Sequence, residues 1–123
     1  MQQLLVLTSV ILLADTVWLT ATADSTYKMI AALQGKPLRV RFLPGAALYA
    51  IMIAAVWFFA VRSSTSVVEA AGRGAALGFS MYGLYDLTNY ATLDKYPLWF
   101  TVTDIAWGTI LFTVASATAF AFI

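Results

Sequence analysis

The twenty residues from Leu4 to Ala23, LLVLTSVILLADTVWLTATA, contain a single ionisable side chain, Asp15. A helix of that length rises ~30 Å, about the thickness of a bilayer's hydrocarbon core. Similar stretches follow over about 42–61, 69–92 and 98–120. In lipid every backbone N–H and C=O must be satisfied within the protein, so these stretches predict helices and an all-α fold. The composition agrees, since 62% of residues are hydrophobic and only 11% charged, which does not suit a soluble domain. A cleavable leader is the rival reading of the first stretch. It is disfavoured because no basic segment precedes it, and Asp15 and Trp18 interrupt its apolar centre.

The connections set the expected topology. A chain of 123 residues is short enough for one domain, here an integral membrane domain spanning 1–123. Residues 24–41 are polar and carry Lys28, Lys36, Arg39 and Arg41. Within them Asp24 or Ser25 can cap a short helix with Tyr27, Ile30 and Ala31 on one side, lying flat at the interface and closing at Gly35 before the Lys36-Pro37 turn. Pro44 falls in the first turn of the second span, where its missing N–H costs nothing. The sequences RSSTSVVE and LDKYP connect the later spans. The expected architecture is a four-transmembrane-helix up-and-down bundle. Lys28, Lys36, Arg39, Arg41 and Lys95 lie on one side, against Arg62 and Arg73 on the other. The positive-inside rule then sends both termini outward.

Absent residue types narrow the chemistry. Without cysteine there is no disulfide and no thiolate metal site. Without histidine there is no customary proton shuttle and no usual haem ligand. No lysine lies within a span to form a retinal Schiff base, and a net charge of +1 gives no footprint for nucleic acid. No cofactor is expected. The expected partners are membrane lipids and either further copies of the chain or a larger membrane complex.

Against this apolar background three aspartates stand out: Asp15, Asp86 and Asp104. An ionisable group at the centre of a span costs ~2.5–3.5 kcal/mol on insertion scales, so it usually faces the bundle interior and serves a purpose. Counted from the connections, all three sit roughly 10 Å inside the same face at 1.5 Å per residue. The equivalent depth in the second span is Tyr49. Helical spacing groups Thr8, Asp15 and Thr22 on one stripe, and Gly74, Gly78, Tyr82, Tyr85, Asp86 and Asn89 on another. A third stripe holds Thr101, Asp104, Gly108, Leu111 and Ala115. Gly74 to Gly78 and Gly108 to Ala115 are where backbones can approach closely and bring the carboxyls together. The pattern DxxW occurs at Asp15–Trp18 and again at Asp104–Trp107, and an indole N–H is a suitable donor to a carboxylate. Because the two spans run oppositely, the tryptophans are expected on opposite sides of the aspartate layer. Trp57, Trp99, Tyr27 and Tyr96 are expected as interface anchors or packing residues.

The segment YDLTNYATLDKYPLWFTVTDIAWG, with the early DTVWL, resembles a family of small, uncharacterised four-helix membrane proteins of bacteria and large viruses. The likeness extends over essentially the whole chain. Its matching positions are Asp15, Trp18, Tyr85, Asp86, Leu87, Thr88, Asn89, Pro97, Asp104 and Trp107. The resemblance implies the four-helix fold and marks the same polar layer, and it brings no assigned activity or ligand. It also implies a bacterial inner membrane, or a host membrane for a viral member.

No Lys or Arg lies at the depth of the layer, so three carboxylates cannot all be ionised there without protons or a cation. Carboxylates, the Asn89 amide and tyrosine hydroxyls form an all-oxygen set suited to protons or a hard cation, although no metal site is assigned. The best expectation is a small proton- or cation-linked transporter or channel using Asp15, Asp86 and Asp104 with Asn89, Tyr85, Tyr49 and Tyr82, supported by Trp18, Trp107 and Thr88. Small multidrug carriers offer a fold-level analogy, with an essential carboxylate in the first span. The alternatives are a lipid-modifying enzyme with an Asp acid–base pair, whose catalytic residues stay unassigned, and an accessory subunit of a larger complex. No nucleophile elbow, phosphate loop or nicotinamide fingerprint supports an enzyme. The plainest reading is that the polar groups only glue helices together, at ~0.6 kcal/mol per bond.

Overall fold

A computed structural model describes residues 1–122, which form five helices. They are α1 (Gln2–Ala21), α2 (Ala23–Gln34), α3 (Phe42–Val56, continued by a π-helical turn over Trp57–Val61), α4 (Val67–Thr92) and α5 (Leu98–Ala121). Among the described residues there is no strand. Three helices are long and apolar enough to cross a membrane: Gln2–Ala21, Phe42–Val61 and Leu98–Ala121. α4 is longer, at 26 residues, but its glycines and its Ser80, Asp86 and Asn89 dilute its apolar character.

The helix ends follow local chemistry. α2 leaves α1 at Thr22, whose φ of −104° and ψ of 6° break the helical path. It closes at Gly35, whose φ of 72° is the left-handed conformation that ends a helix without a Cβ penalty. Asp24 and Ser25 do not cap it. The helix begins at Ala23, so Asp24 lies in its first turn and pairs with Lys28 at 3.2 Å. At α4 the Ser66 hydroxyl accepts the Glu69 N–H at 3.1 Å, while Glu69 reaches back to the Thr65 N–H at 2.8 Å. The spacing S-x-x-E announces this capping arrangement in the sequence. The π turn was not expected. It widens the end of α3 so that the Arg62 N–H reaches the Trp57 carbonyl, five residues back, at 2.8 Å.

α5 is the helix around which the others assemble. α4 packs antiparallel along it at very close approach: a Cβ on Gly74 would collide with the Phe112 carbonyl and Ser116, and one on Gly78 with the Gly108 carbonyl. The Tyr82 ring covers Gly108 in turn. The small residues therefore act as expected, by letting backbones meet. α1 also runs antiparallel to α5, tied by the Gln3 side-chain N–H to the Phe120 carbonyl at 3.2 Å. The apolar core joins Leu7 and Ile11 of α1 with Met52 and Val56 of α3, Ala60 and Val61 of the π turn, and Leu111, Phe112, Ala115 and Ala119 of α5. Lipid is as apolar as these side chains, so packing and helix-to-helix hydrogen bonds, more than water exclusion, hold the arrangement.

Candidate functional site

Asp15 lies six residues before the end of α1, Asp86 six before the end of α4, Asp104 six after the start of α5 and Tyr49 seven after the start of α3. Each is thus about 9–10 Å in from the same end of the molecule, at 1.5 Å per residue. The four residues share one level of the bundle and divide between two centres.

The first centre is built on Asp15, which continues the buried stripe Leu7, Ile11 and Asp15 of α1. Its Oδ1 accepts the Trp107 indole N–H at 2.9 Å and its Oδ2 accepts the Tyr49 hydroxyl. One carboxylate thereby joins α1, α3 and α5, and both of its oxygens are occupied. Trp107 also stacks flat on Trp18, with ring centroids 4.6 Å apart and planes 4° from parallel. This corrects the expectation that the tryptophans lie on opposite sides of the layer. In the α1–α5 register Asp15 is level with Trp107, not Asp104, an offset of three residues or about 4.5 Å. That offset brings the two indoles together.

The second centre is built on Asp86, which is 0% exposed. Its Oδ1 accepts the Tyr96 hydroxyl at 2.6 Å, and its Oδ2 is buried without a hydrogen-bond partner. The register that sets Gly74 against Ser116 and Gly78 against Gly108 brings Asp104 opposite Asp86. Two carboxylates cannot donate to one another, so only a proton or a cation between them makes this contact attractive. The ion pairs among the described residues, Lys28–Asp24 and Arg73–Glu69, lie near helix ends and bring no cation to the centre. Nor do three acidic side chains among the described residues converge as a metal cage.

Tyr96, expected as an interface anchor or a packing residue, packs inside and also bonds Asp86. It is 5% exposed and stands edge-on to Phe100, with centroids 5.6 Å apart. Its N–H bonds the Leu93 carbonyl at 3.1 Å, which folds the 93–97 connection back over Asp86. Burial, reinforced by the bond to Asp86, pushes its phenol above the ordinary range and keeps it a donor. Its position ten residues beyond Asp86, across a turn, hides the pairing from helical spacing. The signal available was the Tyr96-Pro97 step, which tightens the turn.

The remaining expected residues separate. Tyr82 lies between the centres and interacts through space with Asp15, Asp104, Tyr49 and Asp86. Its ring meets Phe112 edge-on at 5.8 Å, where the polar layer gives way to the apolar core. Asn89 is half-buried and lies near the phenols of Tyr85 and Tyr96. Tyr85 itself is 62% exposed and stands at the edge of the centre. Thr88 faces outward, its carbonyl accepting the Thr92 hydroxyl at 2.7 Å, and has no part in either centre.

Comparison with known proteins returns one family, described as "Predicted membrane protein (DUF2177)", which matches residues 1–121. No curated protein and no solved structure matches the chain.

Proposed function

The chain belongs to that family of predicted membrane proteins, and from this premise we propose that it carries a proton on the Asp86–Asp104 pair as the coupling element of a small membrane transporter. The observation that carries the proposal is the wholly buried and unpartnered Asp86 Oδ2, on a side chain that the α4–α5 register sets opposite Asp104 and that has no ion pair to Lys or Arg among the described residues. A proton shared by the pair satisfies both groups, and its loading and release is how carriers use intramembrane acids. A proton suits the centre better than a metal ion, because two carboxyls and a phenol supply too few oxygens for a hard cation. Asp15 takes a different role in this proposal. Saturated by Tyr49 and Trp107, it fastens three helices and leaves proton carriage to the other centre.

The proposal makes α4 a fourth span. Its 26 residues extend ~39 Å, enough to cross, and it turns Gly74, Gly78 and Asp86 inward against α5. Four crossings bring both termini to one side, and the excess of Lys and Arg in the 24–41 and 93–97 connections makes that side the outer one. Four short helices enclose little space alone, so the transport pathway is formed between copies of the chain. The test is flux in liposomes under an imposed pH gradient, read with an internal pH dye. Asp86→Asn and Asp104→Asn abolish gradient-driven proton entry while Asp15→Asn retains it. Equal flux in all three variants and the parent contradicts the proposal.

A further inference from the structure

The link between α2 and α3 gathers Lys36, Arg39 and Arg41 within six residues, with no acidic residue between Lys28 and Arg62. None of the three forms an ion pair among the described residues, unlike Lys28, which pairs with Asp24, and Arg73, which pairs with Glu69. The link has a defined shape. The Gln34 side-chain amide donates to the carbonyls of Lys36 and Pro37 at 3.0 and 2.9 Å and folds the chain back after Gly35. A cavity of about 670 Å³ opens there, lined by Gln34, the three cations and Phe42. The start of α3 borders it with no side-chain cap and no acidic residue in its first turn. The helix thus presents uncapped backbone N–H groups and the positive end of its dipole to the same space. Val40, Phe42 and Leu43 stand exposed beside the cations, 76%, 81% and 77% accessible, where the candidate span Phe42–Val61 begins.

We propose that the 34–42 link is a binding site for the phosphate headgroup of an anionic phospholipid, with Arg39, Arg41 and Lys36 holding the phosphate and Val40, Phe42 and Leu43 lying along the acyl chains. The chemistry separates by position. Guanidinium groups bind phosphate oxygens in bidentate fashion, the helix start adds N–H donors, and the apolar side chains lie where a lipid continues and a soluble anion ends. A free phosphate satisfies the first two features and leaves the third without use.

The test is native mass spectrometry of the full chain released from micelles doped with equal amounts of phosphatidylglycerol and phosphatidylcholine. The parent chain is expected to retain phosphatidylglycerol preferentially. Binding should fall roughly fivefold for each cation removed in Lys36→Gln/Arg39→Gln/Arg41→Gln. Lys28→Gln/Arg62→Gln/Lys95→Gln removes the same charge elsewhere and should leave the preference intact. Arg39→Lys/Arg41→Lys keeps the charge and guards against misfolding of the triple variant. It should hold more lipid than the Gln variant, with unchanged helicity by circular dichroism. Equal retention of both lipids by the parent chain, or equal loss in the two triple variants, overturns the site. Displacement of the lipid by millimolar inorganic phosphate assigns the cations to a soluble anion and overturns the lipid.

Discussion

Asp15 and Asp86 lie at the same depth from one end of the bundle, yet their surroundings differ in one respect. Asp15 meets two donors, Tyr49 and Trp107, each from another helix. Asp86 meets one donor, Tyr96, and a second carboxyl. A carboxylate that accepts from a fixed donor on each oxygen holds its neighbours in place. One that faces another acid keeps an oxygen with no donor. Burial alone does not separate them, since Asp15 is 7% and Asp86 0% exposed. The distinction rests on which side chains the helix register delivers.

The largest expected effect comes from destroying that register on one side only. Gly78→Leu drives a side chain into the Gly108 backbone, which has no flexible end to give way, so the loss should reach or exceed the ~1–3 kcal/mol of ordinary overpacking. Thermal melting in detergent should fall sharply. Proton binding by the Asp86 centre should be lost, while near-ultraviolet dichroism from the Trp18–Trp107 stack persists. Simultaneous loss of the stack means that the two centres are not separable. Next comes Asp15→Ala, which strands the Tyr49 hydroxyl and the Trp107 N–H; leaving buried donors unmet costs about 1–3 kcal/mol each. Its melting should drop and its tryptophan dichroism weaken, and an unchanged melt contradicts the fastening role of Asp15.

The comparison sharpens with Asp86→Asn. The amide offers a donor toward Asp104, so stability should shift by less than about 1 kcal/mol in either direction, while proton release measured by pH-stat titration of the purified protein falls. A melt as damaged as that of Asp15→Ala makes the two centres equivalent after all. The smallest effect belongs to Tyr49→Phe, which removes one of two bonds to Asp15. It should cost about 0.6 kcal/mol, near the average for hydrogen bonds within membranes, read as a small fall in melting temperature.

Much of this organisation was legible in the sequence, because apolar length and helical spacing are local properties. The stripes through Gly74, Gly78 and Asp86 and through Thr101, Gly108, Leu111 and Ala115 are buried as their spacing requires, and the short helix of the first connection closes at Gly35. Pairing between helices was not legible to within one turn. An offset of three residues between α1 and α5 decides whether Asp15 faces Asp104 or Trp107, and depth counted from the connections cannot resolve it. Tyr85 was misjudged for a related reason: it shares the arc of Asp86, but the arc is wider than the strip α5 covers. Tyr96 escaped because its contact is made by the fold of a turn, which leaves no periodic trace.

The widened turn at Trp57–Val61 carries a consequence for how this chain tolerates change in length. A π turn holds one residue more than the α turn it replaces. Removing a single residue there can therefore be absorbed by tightening to regular helix, which leaves everything downstream in phase. A residue removed from the regular part of α3 instead turns everything downstream by about 100° and carries the buried Ala60 and Val61 off the core face, the side from which Phe58 and Phe59 now stand exposed. The surplus residue thus works as a phase adjuster: it lets the upper part of α3 present Met52 and Val56 to the core while its end presents Ala60 and Val61 to the same core.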